Sequence, residues 1–235
     1  MSRVLAIHTV RSLVEYFDRK LRRASPSTDV FHILDEALLE RIRLRGHVAA
    51  EDTGRLESHL AEGLEIGVTA VLVTCSTLSQ CVAQIRVPGR LRILAVDDAL
   101  ADAIVSFPGS IVVLATNPTT VEPTRQTLAT RGLEPGHESK VTIHVIAGAF
   151  AVLQRGDLKT HDEIVAASVM DHLGRYDRVA LAQASMARAT ELLTEQQRGR
   201  VFSSPELAVE CLASILKEAD EISSKSTPAV GEAAL

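Results

Sequence analysis

Short apolar runs alternate along the chain with longer stretches in which apolar positions recur every three or four residues. The runs RVLAIH (3–8), DVFHIL (29–34), TAVLVT (69–74), LRILAV (91–96), SIVVLAT (110–116), VTIHVIA (141–147) and RVALAQ (178–183) predict strands. Most are apolar on both faces, as parallel strands covered by helices require. Between them, 49–67 spaces Leu56, Leu60 and Leu64 four apart, and 159–174 carries Ile164, Ser168 and Val169 before a stop at Gly174. Both segments predict helices. Strand–helix alternation predicts a doubly wound α/β fold, with ligands at the carboxyl ends of the strands. The last stretch, 223–235, has no periodicity and reads as a flexible tail.

The pattern also repeats. A shift of 108 residues lays VLAIHT (4–9) on VVLATN (112–117), TCSTLSQ (74–80) on AQASMAR (182–188), and 89–105 on 197–213. Three matches at one offset, each pairing like elements, predict two pseudo-symmetric lobes with parallel sheets. Residues 1–97 with 205–222 would form the first lobe and 98–204 the second, with a cleft between them. The shift places Gln183 opposite Cys75.

Composition narrows the partners. The 235 residues are 46% hydrophobic, enough for a sizeable core, and the net charge is −5. No Lys/Arg stripe stands out, Trp is absent, and only seven other aromatics occur, which argues against nucleic acid as a partner. No apolar stretch reaches the ~20 residues of a membrane span. The start, MSRVLAIHTV, enters a strand without a signal-peptide shape. Three cysteines without a CxxC pair fit a reducing cytoplasm and give no metal-ligand spacing. Carboxylate pairs for hydrolysis, a phosphate-binding glycine loop and a G-x-S-x-G elbow are missing.

Candidate chemistry gathers at strand ends. Cys75 follows an apolar run and precedes a helical pattern, 78–85. Backbone N–H groups at a helix start favour a thiolate, which suits Cys75 to general acid/base or nucleophilic work; the plain alternative is a small core residue. Ser76 and Thr77 read either as helix caps or as donors to an anion. Thr116-Asn117-Pro118-Thr119-Thr120 repeats this arrangement, with Pro118 in a first helical turn and Thr116 or Asn117 at the cap. Gln183, Ala184 and Ser185 form a third such strand end. Gln183 would either donate a hydrogen bond to a substrate oxygen or serve as a structural amide. Asp97 and Asp98 read as cap and dipole partners of a helix, His32 and His144 as core histidines within strands, and Cys81 and Cys211 as packing residues on helices.

In their order and spacing, IHTV (7–10), TCST (74–77), LATNPTT (114–120) and LAQASMA (181–187) resemble the aspartate/glutamate/hydantoin racemase superfamily, over roughly 3–213. The resemblance implies two α/β lobes, a cofactor-free site between them, and a small anionic carboxylate as substrate; homo-oligomerisation stays open. Racemases of this family set two thiols on opposite faces of a carbon acid. Cys75 matches the first thiol, but the second falls on Gln183, and a carboxamide does not exchange protons near neutral pH. Relatives with one cysteine include decarboxylases of malonate-type acids and a cis–trans isomerase branch. The resemblance therefore implies carbanion or enediolate chemistry beside a carboxylate more firmly than racemisation. The family's T-x-x-T pattern maps to Thr116 and Thr119. His8-Thr9 stands where the glutamate-specific branch carries an acid before Ser, so His8 reads either as an assistant in proton transfer or as a structural histidine at a strand end. The rival reading is a non-catalytic ligand-binding protein that kept the cleft and lost a thiol.

Overall fold

The computed structural model describes residues 2–86, 91–133 and 140–225. Eight strands form two four-stranded parallel sheets. The first contains β1 (Arg3–His8), β2 (Asp29–Leu34), β3 (Ala70–Val73) and β4 (Arg92–Ala95), in the order β2-β1-β3-β4. The second contains β5 (Ile111–Ala115), β6 (Val141–Val145), β7 (Arg178–Leu181) and β8 (Val201–Ser203), in the order β6-β5-β7-β8. The inner strands β3 and β5 are buried along their whole length, whereas edge strands β2 and β6 alternate with solvent. This is the burial expected of parallel strands sandwiched between helices.

The 108-residue shift carries β3 onto β7 residue for residue and β1 onto β5. It also places a strand at 201–203, which the apolar pattern alone did not mark. The match slips at β6, which starts at Val141 where the shift of Asp29 would give 137.

The helices are α1 (Ser12–Ala24), α2 (Glu36–Arg45), α3 (Ala50–Glu65), α4 (Ser79–Gln84), α5 (Asp98–Ser106), α6 (Val121–Thr130), α7 (Ala149–Gln154), α8 (Leu158–Leu173), α9 (Glu195–Arg198) and α10 (Ser204–Lys225). Short 3-10 turns precede α4 (Ser76–Leu78) and α6 (Pro118–Thr120), and a longer 3-10 segment spans Ala184–Leu192. Because α10 runs to Lys225, residues 223–225 of the expected tail are helical, and 226–235 lie outside the described residues.

Two helices cross between the lobes. Helix α5 leaves the end of the first sheet, yet Leu100, Ala101 and Ile104 pack on Ile111, Val113 and Ala180 of the second. Helix α10 leaves the second sheet, and Ala208, Leu212 and Leu216 pack with Val4, Ala6 and Leu72 of the first. The 3-10 segment adds a third tie: Ala187 joins the first lobe's core, while Met186 and Ala189 join the second's. Among the described residues no helix is long and apolar enough to cross a membrane.

Leu212 is almost fully buried in the first lobe's core although it belongs to a helix that enters from the second. We expect Leu212→Ala to lower the unfolding free energy by about 2–5 kcal/mol. Urea denaturation measures the loss, and hydrogen exchange should show weakened protection in β1, across the lobe boundary. A loss of protection confined to α10 would contradict this packing.

Candidate active site

Cys75 lies two residues past β3, on the sheet face that it shares with Val71 and Val73. It is only 8% exposed. The Thr9 hydroxyl and the backbone N–H groups of Thr77 and Leu78 lie on its side of the turn and favour the thiolate, although the Leu78 N–H itself donates to the Cys75 carbonyl at 2.9 Å. Burial nevertheless outweighs these three donors, and the charge of Asp97 adds to it, so the thiol is pushed up from its ordinary value. A helix start therefore does not yield the low thiolate value expected from sequence, because the sulfur is cut off from water. Cys81 and Cys211 are also raised by burial; Cys81 is buried in α4 and Cys211 half-buried in α10.

At the equivalent strand end of the second lobe, the Gln183 carboxamide takes the place of the thiol. Its Oε1 accepts from the Thr116 N–H at 2.6 Å, the Thr116 hydroxyl at 2.9 Å and the Asn117 N–H at 3.2 Å. Three donors on one oxygen fix the orientation of the amide, since only the oxygen can accept. Thr9 and Asn117 coincide under the 108-residue shift, so each lobe clasps its central residue from the neighbouring strand end. Asn117 caps the turn that follows, with its Oδ1 accepting from the Thr119 N–H at 3.1 Å, and Pro118 opens that turn as expected.

Ser76 and Thr77 do not cap a helix. Cys75 occupies the cap position without a side-chain bond, and Ser76 and Thr77 lie inside the turn. Ser76 Oγ instead lies 3.0 Å from the Ala182 carbonyl oxygen and 2.9 Å from Asp97 Oδ1. The neighbours of Cys75 and Gln183 are thus joined across the lobes. Asp97 does not cap its helix either; its carboxylate turns back toward Ser76 and Ser79, and Asp98 accepts from the Ala95 N–H instead.

A cleft of about 290 Å³ opens beside this junction. Thr77, Asn117 and Thr119 line it, together with the apolar Leu39, Ile42, Val48, Pro123 and Phe150. An adjoining hollow, lined in part by Thr9, shares Leu39, Arg43 and Phe150 with it. The α2 side of the cleft is braced by Asp35, which accepts from the Leu38 N–H, Arg55 and His59. Burial pushes the Asp35 carboxyl up, but these three donors outweigh it and hold the group at about 2. Across the lobes, Gln80 on α4 donates to Gln126 on α6 at 2.6 Å.

His8 does not join this group. Its ring lies on the α1 face of the sheet, 5.8 Å from the Phe17 ring, with Val4 and Ala6 on the same face of β1. Cys75 is on the other face, as alternate side chains of neighbouring parallel strands dictate. His8 Nδ1 is 2.9 Å from Thr74 Oγ1 and His8 Nε2 is 2.9 Å from His32 Nδ1, while His32 Nε2 is 3.1 Å from Asp18 Oδ1. Desolvation and the His32 charge lower His8 to about 3, so it stays neutral at neutral pH. Ala184 and Ser185 are buried in the 3-10 segment, and Ala184 packs into the first lobe's core. His144 is exposed rather than a core residue, with its ring 4.9 Å from that of His172.

No family model matches the sequence, and no curated protein does. Solved structures match nearly the whole chain. The aspartate racemase of Picrophilus torridus superposes with a TM-score of 0.69 at 16% identity, covering 94% of this chain and 95% of that one. An allantoin racemase from Klebsiella pneumoniae gives 0.68 at 18% identity, covering 93% and 89%. A glutamate racemase from Bacillus anthracis gives 0.64 at 16% identity, covering 93% and 82%. The chain has the two-lobed racemase fold. Within that fold, β1, β3, β5 and β7 supply the residues at the junction: Thr9, Cys75, Thr116 and Gln183.

Gln183→Leu would leave the Thr116 and Asn117 donors facing an apolar group. We expect a loss of about 1–3 kcal/mol in unfolding free energy, the cost of orphaned buried donors. Gln183→Glu, which keeps an acceptor in the cradle, should stay close to the wild type at neutral pH. Equal losses in both variants would show that the cradle does not depend on an acceptor.

Proposed function

We propose that the protein is a cofactor-independent enzyme of the aspartate/glutamate/hydantoin racemase superfamily. It transfers a proton at the carbon beside the carboxylate of a small anionic acid, and Cys75 is its acid/base. The observation that carries this reading is the placement of a buried thiol at the lobe junction, beside Thr9, Thr77 and Leu78, whose hydrogen-bonding groups favour the thiolate. Such donors strengthen as negative charge develops on sulfur, which is the form of stabilisation that lowers a barrier. The Gln183 oxygen is held by Thr116 and Asn117, which leaves its Nε2 hydrogens to bond an enediolate oxygen. Thr77, Asn117 and Thr119 on the cleft wall suit a carboxylate, and the apolar Leu39, Ile42 and Phe150 suit an acid with an apolar substituent.

A specific observation favours a one-base reaction. With its thiol raised by burial, Cys75 is protonated at neutral pH and better placed to give a proton than to take one. A carbanion left by decarboxylation of a malonate-type acid would take the Cys75 proton, and the three donors would hold the resulting thiolate. Gln183 supplies no second proton, and His8 lies on the far face of the sheet, so neither completes a two-base racemase. A cis–trans isomerase would use the same thiol as a nucleophile.

Incubation in deuterated water tests this. A panel of 2-substituted malonates, amino acids, hydantoins and maleate is followed by carbon dioxide release, deuterium at the reacting carbon and optical rotation. We expect deuterium delivered to one face, and a fall of about 10²–10⁴-fold in Cys75→Ala, the usual range for loss of a general acid. Rapid inversion of an amino acid would sink the one-base reading. Binding of an acid with no turnover of any panel member would favour a ligand-binding protein.

A further inference from the structure

Ser76 carries one hydroxyl proton and has two acceptors: Asp97 Oδ1 at 2.9 Å and the Ala182 carbonyl at 3.0 Å. Ser79 Oγ is 3.1 Å from the other Asp97 oxygen. All three residues at this junction are at most 9% exposed, so water does not make up a missing proton. If Asp97 were ionised, the Ser76 proton could serve only one acceptor, and the other oxygen would face a lone pair at hydrogen-bond distance. A proton on Asp97 removes the conflict. The carboxyl then donates to Ser76 Oγ, Ser76 donates to Ala182 across the lobes, and Ser79 donates to the remaining carboxyl oxygen.

We propose that below neutral pH Asp97 is held as a neutral carboxylic acid and, through Ser76, is a positioning residue that fixes the Cys75 turn against the second lobe. Ser76 lies between Cys75 and Thr77 in one tight turn, so whatever anchors Ser76 anchors the turn that carries the thiol. The charges around Asp97 agree. Desolvation raises it to about 7; the bonds from Ser76 and Ser79 oppose this, and the neighbouring Asp98 adds to it. Arg131, at the C-terminal cap of α6, is engaged by Asp98 and Asp102. Among the described residues no cation pairs with Asp97. The Asp97 charge in turn pushes the Cys75 thiol up. The inference stands apart from the reaction assigned to the site, because each readout below is taken without substrate.

Three proteins test it: wild type, Asp97→Asn and Asp97→Leu. Asparagine can donate to Ser76 and accept from Ser79, as the neutral acid does, whereas leucine does neither. A carboxyl group raised in the folded state stabilises at low pH and loses that contribution as pH rises toward its folded value. The Tm of D97N minus that of the wild type should therefore climb between the ordinary 3.8 and about 7, and level off above. The thiolate absorbance of Cys75, read against the C75S form of each protein, should have its midpoint about one pH unit lower in D97N, because a like charge has gone. D97L should melt below D97N at every pH. If D97N does not fold, carboxyl carbon NMR of the wild type decides: an Asp97 resonance titrating near neutrality supports the proposal. A flat Tm difference, an unmoved Cys75 midpoint, equal melting of D97N and D97L, or a resonance titrating in the ordinary acidic range would each overturn it.

Discussion

The exchange of helices α5 and α10 between the lobes is the constraint on which the rest depends. A parallel sheet must be covered on both faces, and here each lobe completes its cover with a helix that enters from the other. Shared core residues hold the two sheets in a fixed relation, so the carboxyl ends of their central strands meet. That meeting puts Ser76 within hydrogen-bond distance of Ala182 and brings Cys75 and Gln183 to a common junction. Without the exchange, each lobe would hold a polar strand end facing water.

Burial then decides the chemistry available at the junction. Little water reaches the Cys75 thiol and the Asp97 carboxyl, so each must find its partners within the protein, and the half-buried Gln183 amide has its oxygen fully engaged there. In both lobes a residue from the neighbouring strand end stands against the central side chain: Thr9 beside Cys75, and Thr116 with Asn117 hydrogen-bonded to Gln183. The occupants differ in what they can do. The thiol carries an ionisable proton, whereas the amide keeps its protons and offers only directed hydrogen bonds. The repeated frame thus holds two chemically different side chains at equivalent strand ends.

Periodicity and repetition in the sequence determined a good deal. Seven apolar runs marked seven of the eight strands, because buried parallel strands are apolar on both faces. The eighth, Val201–Ser203, is three residues long and only half-buried, too short to register as a run, and the internal repeat alone pointed to it. The same repeat paired Cys75 with Gln183 and located the strand ends where Thr9, Thr116 and Asn117 gather. What the sequence could not decide was which way side chains turn and how much water reaches them. His8 ends its strand as expected, but the pleat turns it to the α1 face, away from Cys75. Ser76 and Asp97 read as caps, because local spacing shows the nearest backbone donors and not the partner from another lobe. The thiol looked activated by its turn, but desolvation, which depends on every element packed around it, pushed it the other way. Strand placement is a local property of the chain. Burial, and the partners that a buried group finds, belong to the assembled lobes.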